Sequence, residues 1–238
     1  AGMMHHHSGP RLEAVFDRPY SIDIAADGTI YVADLGNSSI CKITPEGEVI
    51  SVVNGFGGLD LPDLDQPQVV RLTSNDAALL IGDAITKKVW RYDVAANTVQ
   101  HIYSFTPTYD AAWVWLDVDT QGTMGPIDSF FAVVPKGSYT RLVEKVSADG
   151  SVVESYMRTL ALEYAWAVAV HDQQARAVFS GFGDADGLVE MRRRRSTDPV
   201  YTRGGQGDVN YGAQAKGNLI AETGSAPGFH ANTRPSLY

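Results

Sequence analysis

The sequence predicts an all-β fold: a single propeller of about five four-stranded blades, closed by its N-terminal strand. Three observations carry this. A short apolar pattern recurs as Ile22-Asp-Ile24, Val70-Arg-Leu72, Leu116-Asp-Val118 and Val168-Ala-Val170. Its steps are 48 residues (22 to 70), 46 (70 to 116) and 52 (116 to 168), the period of a propeller blade. Turn dipeptides, Asp27-Gly28, Gly36-Asn37 and Glu46-Gly47 in the first copy, mark each chain reversal. The last copy runs out of chain before an outer strand, while Arg11 to Phe16 precede the first copy with no inner strands of their own.

In the first copy, Ile22 and Ile24 are expected as the inward positions of a strand with period-2 alternation. Asp27-Gly28 turns the chain into Thr29 to Ala33, which is apolar enough to be buried on both faces. Asp34 ends that strand. Gly36-Asn37 leads into a third carrying Ile40 and Ile43, and Pro45-Glu-Gly47 into a fourth, Val49 to Val53. Later copies keep the register. Asp83 follows Ala78-Leu-Leu-Ile81 as Asp34 follows its strand. Val89-Trp-Arg-Tyr92 and Val143-Glu-Lys-Val146 match Ile40-Cys-Lys-Ile43. A fourth copy is fainter, through Val178-Phe-Ser180 and Leu188 to Met191. Gly217-Asn-Leu-Ile-Ala-Glu222 resembles Gly28 to Asp34. Blades are therefore expected near residues 18–53, 67–104, 112–156, 164–203 and 206–238. Residues 11–16 would complete the last blade, leaving no open sheet edge, and 1–10 form a tail.

Composition narrows the function classes. With 44% hydrophobic and 20% charged residues among 238, the chain reads as globular rather than disordered. Its net charge of −9 argues against nucleic acid as a partner, because phosphate binding needs clustered cations. Cys41 is the single cysteine, so no disulfide can form within the chain. Residues 1–10 hold no apolar h-region, and no stretch approaches a membrane span. The expectation is a chain without signal peptide, cytoplasmic or part of a particle assembled there.

From Pro19 to Ile40 the pattern Pro-x-x-Ile-x-Ile-x-x-Asp-Gly-x-Ile-Tyr-Val-Ala-Asp-x-x-Asn-x-x-Ile resembles the NHL-type repeat. It is shared loosely with gluconolactonase-like and strictosidine-synthase-like propellers. The resemblance implies a propeller whose loops on one face bind something, and it carries no activity across, because the repeat residues are structural. Gluconolactonase-like enzymes hold a divalent metal with acidic and Asn side chains from different blades, and no such set can be matched here residue by residue. A streptogramin-lyase-like activity would want a catalytic His. His101 falls in an outer strand, His171 in a hairpin turn on the other face and His230 in the tail.

The loops expected on one face carry the ligand candidates Asp60, Asp63, Asp65, Tyr109, Asp110, Trp113, Asp184 and Asp186. Carboxylates beside aromatic rings suit a sugar or a hard cation such as Ca²⁺, which takes oxygen ligands. Asp and Gly also populate turns for purely local reasons, and that reading is favoured. Asp34 and Asp83 are expected to fix their turns by accepting backbone N–H bonds. Asp117-Val-Asp119-Thr-Gln121-Gly122 lacks the acids of a Ca²⁺ loop and reads as a turn. Arg192, Arg193, Arg194 and Arg195 form the strong charge run, a candidate docking patch for an acidic protein partner or else a solvated edge or loop.

These features point to a non-catalytic recognition or scaffold propeller in a larger assembly of protein chains, with a virion or tail component as one form of it. Two alternatives use the same fold: a metal-dependent lactonase-like hydrolase, and a glycan-binding lectin-like propeller.

Overall fold

The computed structural model describes residues 9–10, 12–54, 58–105, 114–123, 125–135, 141–155, 164–171, 176–182, 187–193 and 199–204. They form seventeen strands and two single-turn 3-10 segments, Leu35–Asn37 and Ser74–Asp76. The first sheet holds β1 (Gly9–Pro10), β2 (Pro19–Ile24), β3 (Ile30–Asp34), β4 (Ser39–Ile43) and β5 (Glu48–Val53), in the order β1-β5-β4-β3-β2. The second runs β6 (Pro67–Leu72), β7 (Ala78–Asp83), β8 (Lys88–Asp93) and β9 (Thr98–Ser104). The third holds β10 (Trp115–Asp119), β11 (Ser129–Pro135), β12 (Arg141–Val146) and β13 (Val152–Ser155). The fourth holds β14 (Tyr164–His171), β15 (Arg176–Phe182), β16 (Gly187–Arg193) and β17 (Pro199–Gly204). The fold class is all-β, and the described residues form four successive sheets.

The chain divides into two compact units, residues 1–118 and 119–238. In the first, the apolar runs foreseen in the sequence become two-sided strands. β7 is buried at all six positions, with Leu79, Leu80 and Ile81 fully enclosed. Each such side chain contributes about 1.5–3 kcal/mol over its exposed state. Cross-strand partners share a face. Tyr31, Ala33 and Ile40 therefore look one way and pack on Val70, Leu72, Leu79, Ile81, Trp90 and Tyr92 of the second sheet. On the other side of that sheet, Gly82 leaves room for its neighbours. A Cβ there would lie 2.6 Å from Val69 and 3.0 Å from Val114. In the second unit, β11, β12 and β13 pair antiparallel, as do β14 to β17. Phe130, Phe131 and Ala132 of β11 are fully buried.

Two expectations change. Ile22 and Ile24 do not point inward: they are 55% and 58% exposed, while Ser21 is the buried position of β2. Ser21 and Asp23 face the second sheet, and strand alternation turns the two isoleucines to the opposite side. His171 ends β14 rather than lying in a turn. The N-terminal strand among the described residues is β1, whose Gly9 and Pro10 pair with Val49 and Glu48 at the outer edge of the first sheet. Residues 12–16 form a turn and one bridge position, Val15. The expected fifth blade at 206–238 lies outside the described residues, as do residues 1–8 and 11.

Candidate functional site

The most regular polar device in the molecule lies where the second strand of a sheet ends. Asp34 and Asp83 are both fully buried. Asp34 accepts the N–H of Asp17 through Oδ1 (2.8 Å) and an amide N–H of Asn37 through Oδ2 (2.6 Å). Asp83 accepts the N–H of Asp65 through Oδ2 (2.7 Å), and those of Ile85 and Thr86 through Oδ1 (2.9 and 3.0 Å). Asp17 and Asp65 each stand two residues before the proline that opens the first strand, Pro19 and Pro67. In both sheets one carboxylate thus ties the segment leading into the first strand to the end of the second. The same segments are joined by main-chain bonds, Gly36 N–H to Asp17 O and Ala84 N–H to Gln66 O. Asp119 works similarly within its own turn, accepting the N–H (2.9 Å) and the hydroxyl (3.2 Å) of Thr123. The turn readings of Asp34 and Asp83 therefore hold; of Asp117 to Gly122, Asp117 to Asp119 belong to β10 and the turn is confined to Thr120 and Gln121.

The candidate ligand residues divide accordingly. Asp60, Asp63 and Asp65 are exposed on the loop between β5 and β6. Asn54 shapes that loop: its amide donates to Ser38 O and Leu61 O, and its Oδ1 accepts the N–H of Leu61. Leu64 plugs the loop onto the core at 3% exposure. Asp63 pairs with Lys88 Nζ at 2.8 Å, and that ammonium also lies 5.0 Å from the Trp90 ring. Among the described residues no three His, Cys, Asp or Glu side chains gather as metal ligands would. Tyr109, Asp110, Trp113, Asp184, Asp186, Arg194 and Arg195 lie outside the described residues. The backbones of Arg192 and Arg193 are the last two positions of β16, an inner strand of its sheet, paired with Val200 and Pro199 of β17. That places half of the run in regular sheet rather than in an edge or loop.

His101 sits in β9, as expected for an outer strand. Its Nε2 lies 2.9 Å from both Tyr103 O and Ser104 Oγ, and its ring meets Trp90 edge-on. The described partners supply no carboxylate, so the contacts hold the ring in place without completing a catalytic triad.

One residue escaped the sequence reading. Asp23, Arg71 and Asp117 occupy one register position on β2, β6 and β10. The Arg71 Nε bonds Asp117 Oδ1 at 3.1 Å, and its Nη1 donates to Ser21 Oγ (3.2 Å) and Val70 O (2.7 Å). Its guanidinium also lies 5.3 Å from the Trp115 ring. Asp23 in turn accepts the N–H of Leu72 at 2.7 Å. A rigid five-donor fork can join three strands in this way. The signal was present as the middle letters of Ile-Asp-Ile, Val-Arg-Leu and Leu-Asp-Val, alternating in charge.

Successive antiparallel sheets, the first two fastened by an acid at the end of β3 and of β7, match known architectures. Virginiamycin B lyase from Staphylococcus aureus superposes with a TM-score of 0.54 at 15% identity, over 78% of this chain and 55% of that one. The fold is that of a β-propeller. Hydrazine synthase of Kuenenia stuttgartiensis gives 0.58 at 14% identity, over 83% and 56%. A nidogen/laminin complex gives 0.54 at 10%, over 74% and 60%. This chain thus spans a little over half the length of the propellers it resembles. Neither a protein-family model nor a curated sequence matches it.

Proposed function

We propose that this propeller is a non-catalytic binding or scaffold module that works within a larger assembly of protein chains. The observation that carries the reading is the use made of the recurring acids. Asp34, Asp83 and Asp119 direct their oxygens at backbone and neighbouring polar groups, and Asp63 is paired with Lys88. Among the described residues, carboxylates engaged in this way build the framework. The neighbours include a lyase and a nidogen/laminin complex, so the architecture by itself assigns no single role.

The arginine run supplies the testable contact. Reversing the charge at Arg192 to Arg195 should release this chain from its co-purifying partners while circular dichroism shows an intact β fold. The native mass of the isolated particle, with its chains identified, is the readout. Unchanged assembly would overturn the docking role.

A further inference from the structure

We propose that the arginine run belongs to a wider cationic site, a row of His171, Arg176 and Arg192 across three strands, which holds an acidic segment of a partner protein. The proposal rests on the docking role given above to Arg192 to Arg195, and it adds two residues to that site and names the partner's chemistry.

Strand pairing in the fourth sheet builds the row. His171 of β14 pairs with Arg176 of β15, and Arg176 pairs with Arg192 of β16. Cross-strand partners occupy one face, so the three residues stand side by side on it. His171 ends β14, Arg176 opens β15 and Arg192 is the last residue but one of β16. The row therefore crosses the sheet at the end where β14 connects to β15 and β16 to β17, and Arg193 to Arg195 follow Arg192 there in the sequence.

Like charges set directly opposite each other destabilise a sheet. Arg176 and Arg192 are such a pair, on two strands that each have a neighbour on both sides. Among the described residues of these four strands, the carboxylate on the same face is Glu190, two residues from Arg192 and opposite Val178. One acid against two guanidinium groups leaves the row positive, and a bound anion relieves its repulsion.

The width of the row selects that anion. Neighbouring strands lie roughly 4.8 Å apart, so His171 and Arg192 stand roughly 10 Å apart. A single phosphate or carboxylate is too small to bridge them. A peptide segment with several carboxylates is long enough, each arginine taking one bidentately and His171 donating an N–H. Nucleic acid carries the dense negative charge that a chain of net charge −9 repels.

Calorimetric titration of the full chain with an oligoglutamate peptide tests this. The wild-type chain should bind it, and Arg176→Gln should weaken binding by about tenfold or more. Removing one of two opposed charges should leave the melting temperature of the free chain unchanged or higher, which separates lost binding from lost fold. Arg176→Lys keeps the charge and should retain weaker binding, giving a second reading should the glutamine variant not fold. No binding to the wild-type chain, or equal binding by Arg176→Gln, would overturn the site. So would tighter binding of a DNA duplex than of the peptide. If reversing Arg192 to Arg195 releases the co-purifying partners while Arg176→Gln leaves them bound, the wider row fails and the docking role stands. If neither change releases them, both fail.

Discussion

Asp83 shows how much a single side chain can hold in this fold. It is fully buried and accepts three backbone N–H groups from two loop segments. Asp83→Ala would leave those donors unmet at a cost of roughly 2–4 kcal/mol. Thermal unfolding should register a melting temperature lower by roughly 5–15 °C. Cys41 makes a second residue-scale case. It is fully enclosed in β4, and burial first, with the nearby Asp34 charge adding to it, pushes its thiol from 9.0 up to about 12 against a smaller opposing bond from Ser39. At pH 8 the native protein should therefore resist alkylation by iodoacetamide and react on addition of denaturant. The sign of the linkage follows. Between pH 9 and about 12 the folded state keeps a proton that the unfolded chain loses, so stability falls as pH rises through that window. A denaturation midpoint that stayed constant from pH 8 to 11 would contradict the buried thiol.

At the scale of elements, the seams decide the geometry. The first two sheets meet through apolar side chains and through acceptors on β2 that take the N–H groups of β6. The seam between β6 and β10 repeats the device, with the buried Gln68 Oε1 accepting the N–H of Val114 at 2.7 Å. Gly82 stands at that second seam. Gly82→Ala would press a methyl into Val69 and Val114 at 2.6 and 3.0 Å. The strand interior cannot give way cheaply, and the overpacking should cost about 1–3 kcal/mol. Chemical denaturation would show it as a lower midpoint at constant m value. The seam also explains why Ile22 and Ile24 read as inward positions. Their alternation is that of a packed strand, and the same letters are buried in β6 and β10. The side on which a strand finds its partner is a property of the neighbouring sheet, which a local pattern does not contain.

At the scale of the whole molecule, the proposed docking contact is electrostatic. Docking through an arginine run weakens as salt screens it. Sedimentation of the assembly at low and high ionic strength checks that direction. Among the described residues no helix is long and apolar enough to cross a membrane.

The sequence by itself determined the blade unit. Turn dipeptides, two-sided apolar runs and Asp34 and Asp83 are local in origin, so the strands of the first two sheets and the turn-fixing acids could be read from their spacing. Only the tertiary structure decided what those units do to one another. Arg71 joins β2, β6 and β10 although its partners Ser21 and Asp117 lie 50 and 46 residues away in sequence. Ile22 is exposed where Val70 is buried, although both stand in the same pattern. Periodicity records which side chains share a face of a strand. What lies against that face depends on sheets brought there by folding, at sequence separations that local chemistry does not encode.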